Sequence, residues 1–226
     1  MAVIRWRRYV SIRSEERPPY PPKMALLERE AEVRTLSEAW LRARTGGPGA
    51  FLLVAGESGI GKTWLTASFA SDHVAEEQLL WGICDPLTTP RPLGPLHDVV
   101  DLLPGDVRSA MESAGHGYQV FPEVHRALSG SSYVLVVDDV QWADEASLEL
   151  LRHLLRRVDR TRSLVIGTYR DDEVGADHPL VPLLGDVARS PSASTLHLRP
   201  LTPAGVAERR REGAAIVQRL REQVRR

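Results

Sequence analysis

Cysteine is nearly absent. Cys84 stands alone, so no disulfide can form within the chain, and a reducing, cytoplasmic setting is expected. Long apolar runs are missing too, and nothing approaches the roughly 18 consecutive residues a membrane-spanning helix requires. Arg5, Arg7 and Arg8 lie near the start, but no apolar stretch follows them, which argues against a secretory signal. Nor does one sign of charge dominate. The 29 basic and 30 acidic side chains leave a formal net charge of −1, so the chain has no overall field that would gather nucleic acid. Lysine is the scarcest cation: Lys23 and Lys62 are the only two, all others being arginine. A lysine at position 62 is therefore not compositional noise.

What is present suits one α/β domain with tails, since 226 residues can bury a good-sized core. Residues 1–23 read as a disordered leader that ends in Arg17-Pro18-Pro19-Tyr20-Pro21-Pro22, a stretch favouring extended polyproline geometry. A docking peptide is the alternative for that leader. A domain over 24–203 and a basic helical tail over 204–226 complete the expected layout. Glu208, Glu212 and Glu222 interrupt the tail's arginines, as on a solvated helix face.

Periodicity supplies the elements. Val33, Leu36 and Trp40 fall at helical intervals, and Gly46-Gly47-Pro48-Gly49 stops that helix. Apolar runs predict strands over Phe51–Ala55, Leu79–Ile83, Tyr133–Val137 and Leu164–Thr168, with a fifth over Thr195–Leu198. Leu65 and Phe69 mark a second helix, and Pro86–Pro95 a loop with weaker helical patterning after it. Leu148, Leu151, Leu155 and Val158 mark a further helix, with Asp144 as its N-cap. Strands apolar on both faces and alternating with helices predict a parallel sheet covered on both sides.

Gly56-Glu57-Ser58-Gly59-Ile60-Gly61-Lys62-Thr63 satisfies the spacing G-x-x-x-x-G-K-[ST]. Glycines allow the backbone to curl until several N–H groups converge on phosphate oxygens. The helix behind the loop presents free N–H donors and the positive end of its dipole to the same anion. Lys62 would reach the β- and γ-phosphates, and the Thr63 hydroxyl is a hard ligand suited to Mg²⁺. The motif sits between an apolar strand and an amphipathic helix, which sets it apart from a glycine-rich turn. The expected nucleotide-binding set is Gly56, Glu57, Ser58, Gly59, Ile60, Gly61, Lys62, Thr63 and Trp64, with ATP and Mg²⁺ as ligands.

A second apolar strand delivers Asp138 and Asp139 at its carboxyl end, the edge where open α/β sheets bind ligands. Asp138 is expected to hold the metal alongside Thr63. Asp139 would orient or deprotonate the attacking water, although an aspartate is short for that task. A third strand ends at Arg170, which suits a γ-phosphate; its alternative is a surface ion pair with Asp171 or Asp172. Lys62, Asp139 and Arg170 form the expected catalytic group. His97, His116, His125, His153, His178 and His197 show no metal-ligand spacing, and Cys84 reads as a small buried side chain.

Several strings together resemble a known family: Leu26-Leu27-Glu28-Arg29-Glu30, the glycine loop, Val136-Val137-Asp138-Asp139-Val140-Gln141-Trp142-Ala143-Asp144, and Gly167-Thr168-Tyr169-Arg170-Asp171-Asp172-Glu173. They resemble the AAA-like ATPase domain of large LuxR-type regulators, which are signal-transduction ATPases of the STAND class. The likeness runs from about Leu26 to Thr202. It implies a P-loop NTPase three-layer sandwich of about five parallel strands, of the additional-strand class. In that order the Arg170 strand lies between the P-loop strand and the Asp138 strand. The resemblance further implies slow hydrolysis used as a switch, Arg170 as the sensor arginine, and Leu26 to Arg29 near the adenine. Family members continue into winged-helix, repeat and DNA-binding regions. This chain stops at Arg226 and is expected to act as a truncated or lone module, without direct DNA binding, with a protein partner or with itself. A nucleotide-binding module that does not hydrolyse, or a remnant of a regulator, is the alternative.

Overall fold

The structure, a computed structural model, describes residues 27–87, 89, 91–113, 119–208 and 211. The expected leader and most of the expected tail lie outside these residues. Five strands form one sheet: β1 (Ala50–Ala55), β2 (Leu79–Ile83), β3 (Val134–Asp138), β4 (Leu164–Tyr169) and β5 (Ala193–His197). Their order is β2-β3-β4-β1-β5, and every pairing is parallel. Parallel neighbours need crossovers, which helices supply. These are α1 (Glu30–Arg44), α2 (Lys62–His73), α3 (Gly94–Val99), α4 (Gly105–Ser113), α5 (Val120–Gly130), α6 (Glu145–Leu155) and α7 (Val181–Arg189).

Side chains alternate across each strand, so the sheet has two apolar faces to cover. Phe51 and Leu53 of β1 face a core completed by Leu96, Val124, Leu151 and Leu183 from α3, α5, α6 and α7. Leu52 and Val54 face the opposite core, where Leu36 and Trp40 of α1 meet Leu65 and Phe69 of α2. Every residue of β1, β3 and β4 is buried, which explains why their sequences are continuous apolar runs rather than alternating ones. The sandwich is thus three layers deep.

Local chemistry sets the ends of the elements. Glu30 and Glu32 open α1 while Arg42 and Arg44 close it, each sign matching the helix dipole. Asp144 caps α6 by accepting from Ser147 N at 3.0 Å. The same carboxylate accepts from Leu93 N at 3.0 Å and Gly94 N at 3.4 Å, which ties the start of α3 to the start of α6.

Four details depart from expectation. Pro95 belongs to α3, where its ring fits the first turn and no interior donor is lost. Tyr133 precedes β3, and Val158 lies in a short 3-10 turn after α6, although it is buried against the same core. The fifth strand begins at Ala193 and ends at His197, short of Leu198. It is an edge strand paired with β1 alone and is only half covered, whereas the opposite edge strand, β2, is buried at four of its five residues.

Gly82 of β2 is crowded by α3: a β-carbon there would stand 2.3 Å from the Pro95 carbonyl oxygen. Backbone cannot yield as a flexible side chain can. Gly82→Ala is expected to lower unfolding free energy by about 1–3 kcal/mol, the usual range for overpacking, as read by urea denaturation. An unchanged midpoint would show that α3 shifts without penalty.

Candidate functional site

Because β3, β4 and β1 are neighbours, the residues following their carboxyl ends share one edge of the sheet. From β1 the chain enters the glycine loop and turns into α2 at Lys62. Gly59 has φ +75° and Gly61 φ +104°, left-handed conformations that other residues rarely adopt. Gly61 is also the N-cap of α2, so the curled loop delivers the chain to the helix N-terminus. Lys62 is buried, and its ammonium donates to the carbonyls of Gly56 at 2.6 Å and Glu57 at 2.9 Å. Burial lowers its pKa, while Asp139 pulls in the opposite direction.

A carboxylate–hydroxyl hub lies beside the loop. Thr63 Oγ1 donates toward Asp138, 3.1 Å from Oδ1 and 3.0 Å from Oδ2. Thr168 Oγ1, from β4, donates to Asp138 Oδ1 at 2.5 Å. Asp138 is only 4% exposed, and burial pushes its carboxyl above the ordinary range, with Asp139 adding to the effect and both hydroxyls opposing it. Asp139 has φ +57°, and its N–H donates to Thr168 Oγ1 at 2.9 Å. One threonine hydroxyl therefore holds both acidic residues.

Gln141 extends this network. Its Nε2 donates to Asp139 Oδ1 at 3.0 Å, and its Oε1 accepts from Arg170 N at 3.1 Å. At 5% exposure, both ends of the amide are in use. Neither Gln141 nor Thr168 carries a role in the sequence alone, because Arg170 lies 29 residues from Gln141 while Asp138 and Asp139 lie 30 and 29 residues from Thr168. The signal that could have found Gln141 is an amide inside an otherwise apolar turn directly behind two carboxylates. Arg170 pairs with Glu173 at 2.6 Å rather than with Asp171 or Asp172, and its Nε lies 3.7 Å from Asp139 Oδ1. The short turn Asp171–Glu173 brings the third residue round to the guanidinium.

The expected residues thus converge: Lys62, Thr63, Asp138, Asp139 and Arg170 occupy one edge. Glu57, Ser58 and Gly59 are exposed on the loop, while Ile60 and Gly61 are half-buried, as is Trp64 in the first turn of α2. Leu26 lies outside the described residues, but Leu27–Arg29 are placed. Arg29 Nη2 donates to the Arg199 carbonyl at 2.7 Å, and Thr202 N donates to Glu28 Oε2 at 2.8 Å. Leu198 N in turn donates to the carbonyl of Ala55, directly before Gly56, so this joint flanks the loop. Cys84 is buried as expected, and burial pushes its thiol pKa up.

A hydroxyl and a buried carboxylate form a hard-oxygen donor pair, and a cation would offset the burial that disfavours the charged form of Asp138. The residues therefore fit Mg²⁺. Among the described residues no group of three His, Cys, Asp or Glu side chains could hold an ion without further ligands. Magnesium takes one or two protein ligands plus phosphate oxygens and water.

A parallel sheet of this order with a glycine loop leading into a buried lysine and a helix N-terminus defines a P-loop nucleotide-binding α/β domain. Residues 25–166, well over half of the chain, match the family model described as AAA ATPase domain, and the chain belongs to that family. The family implies use of a nucleotide, typically with Mg²⁺. Among solved structures, the chain is similar to the ORC1 protein of Aeropyrum pernix in complex with DNA, at 20% identity and TM-score 0.54, over 81% of this chain and 48% of that one. A Walker-type ATPase of Pyrococcus abyssi matches at 18% identity and TM-score 0.54, over 88% and 62%. Cdc6p of Pyrobaculum aerophilum matches at 14% identity and TM-score 0.55, over 89% and 51%. At such identities the likeness is one of fold. The chain spans about half to three-fifths of the length of these structures. No curated protein matches it in sequence. No helix among the described residues is long and apolar enough to cross a membrane.

Gln141→Leu leaves a carboxylate oxygen and a backbone N–H without their partner. It is expected to lower stability by about 1–3 kcal/mol in urea denaturation. Gln141→Glu is expected to lose more at neutral pH, since it sets a second carboxylate against Asp139. Two variants as stable as the parent would show that the network relaxes freely.

Proposed function

We propose that the chain binds ATP with Mg²⁺ through Gly56 to Trp64 and Asp138, and works as a slowly hydrolysing signal-transduction switch. The observation that carries this reading is the contact of Thr63 with Asp138, 3.0–3.1 Å across two elements 75 residues apart, beside a left-handed glycine loop. It joins the expected metal ligands before any ligand is considered. Phosphate oxygens entering the loop would compete with the Gly56 and Glu57 carbonyls for the Lys62 ammonium, and they are stronger acceptors because they are charged. When bound by Thr63 and Asp138, Mg²⁺ supplies charge neutralisation at the β- and γ-phosphate oxygens.

In this scheme Asp139 accepts a proton from water as the water oxygen bonds to the γ-phosphorus. The bond between that phosphorus and the bridging oxygen breaks, and its electron pair leaves on the β-phosphate of ADP. Arg170 reads the γ-phosphate, and the joint of Leu27–Arg29 with Arg199 and Thr202 borders the base. The left-handed turn at Asp139 directs its carboxylate toward Gln141 and Arg170, which supports a positioned rather than a mobile base. The relation to STAND and large LuxR-type regulators rests on the strings Asp138–Asp144 and Gly167–Glu173. The same strings support a nucleotide-controlled protein partner or self-association. A net charge of −1 gives the chain no overall field that would gather DNA, and direct DNA reading is not part of this scheme.

Single-turnover hydrolysis tests the scheme. The parent protein is expected to release phosphate slowly, because Arg170 is the one arginine assigned to the γ-phosphate among the described residues. Lys62→Ala is expected to lose Mg-ATP binding. Asp139→Asn is expected to bind with little change and to release phosphate about 10²–10⁴-fold more slowly, the usual range for losing a general base. Equal rates in all three proteins would eliminate the scheme. A second reading, binding without turnover, is favoured by the side chain at position 139, since an aspartate is short for orienting or deprotonating the attacking water. Mg-ATP at 100 times its dissociation constant would then stabilise the fold by about 2.7 kcal/mol with no phosphate released.

A further inference from the structure

Arg170 is engaged on three sides. Its Nη1 lies 2.6 Å from Glu173 Oε1 and its Nε 3.7 Å from Asp139 Oδ1, while its guanidinium carbon sits 4.6 Å from the centre of the Trp142 ring. These three contacts differ in kind. Trp142 offers a π face, which supports the guanidinium plane and leaves its in-plane N–H donors available. Asp139 lies at the outer limit of an ion pair and is also held by Gln141. Glu173 takes a donor directly, from the same short turn, with a side chain 34% exposed. It is the direct ion pair of the three, and its negative charge is the one with which a phosphate would compete for the guanidinium.

We propose that Glu173 is an internal competitor for Arg170 that sets how strongly the site prefers a triphosphate over a diphosphate. The proposal rests on the preceding reading of Arg170 as the group that meets the γ-phosphate. A diphosphate brings no oxygen to Arg170, so the pair with Glu173 survives and its strength does not enter the affinity. A triphosphate would bring its third phosphate to a guanidinium whose charge Glu173 already offsets, and its affinity is reduced by that competition and by the repulsion between carboxylate and phosphate. Partly exposed ion pairs contribute little, so the competition is mild. Glu173 thus acts as a soft brake: it keeps Arg170 ordered over Trp142 and yields to the third phosphate.

The test is a set of calorimetric titrations with two probes, the magnesium complex of a nonhydrolysable ATP analogue and Mg-ADP. The proteins are the parent chain, Glu173→Gln, Glu173→Ala, Arg170→Ala and the Arg170→Ala, Glu173→Gln double variant. Glu173 caps no helix and its side chain is partly exposed, so thermal melts near the parent's are expected for both of its variants. Each Glu173 variant is expected to bind the analogue about two- to fivefold more tightly, in line with a partly exposed pair, and ADP with unchanged affinity. Arg170→Ala is expected to weaken the analogue alone, and in that background Glu173→Gln is expected to bring no gain. If Glu173 variants leave the analogue-to-ADP ratio at the parent's value, shift both ligands equally, or raise the ratio without Arg170, the proposal is overturned while the Arg170 reading stands. If Arg170→Ala leaves the ratio unchanged, the sensor role falls and Glu173's with it. If neither probe binds the parent protein, the nucleotide site itself is rejected.

Discussion

A buried carboxylate is an unfavourable thing to place inside a protein unless its oxygens are met by donors. Asp138 meets that condition through two hydroxyls, Thr63 from α2 and Thr168 from β4. The glycine-loop helix and two neighbouring strands meet at this hub. The loop before α2 is drawn against β3, and β4 is held in register with both. Thr168 then uses its remaining capacity to accept from the backbone of Asp139. A network of this kind stiffens the edge because each member is hydrogen-bonded to another.

Strand order makes the hub possible. With β4 between β3 and β1, a threonine on β4 can reach an aspartate on β3 while the β1 loop curls over both. Had β3 lain directly beside β1, no strand would stand between them to offer that hydroxyl. The same order sets Gln141, in the turn after β3, against the backbone N–H of Arg170 after β4. The site is therefore a property of adjacent strand ends, and the helices mainly bury the sheet that aligns them.

Much of this was legible in the residues. The apolar runs gave the strands through their shortness and their bounding turn residues, since periodicity alone does not separate a strand buried on both faces from a buried helix segment. The N-cap at Asp144 was readable because its partner, Ser147 N, is three residues away. Legibility failed where local chemistry misled. Val181–Arg189 passed unnoticed as a helix because it contains Pro182 and Gly185, yet the proline sits in the first turn, where it is tolerated. The partner of Arg170 was misplaced by one or two residues, since only the tightness of the 3-10 turn decides which acid comes round.

By itself the sequence determined the glycine loop, the lysine and threonine behind it, the paired aspartates and the parallel α/β class. These depend on spacing along a few residues, and local backbone geometry follows from spacing. Only the tertiary structure decided that Thr168 joins Asp138 to Asp139, that Gln141 links Asp139 to Arg170, and that Glu28 and Arg29 anchor the segment after β5. Except for the local bond of Gln141 to Asp139, those contacts join residues from separate elements, and a hydrogen bond between distant positions exists only once packing has brought donor and acceptor within about 3 Å of each other.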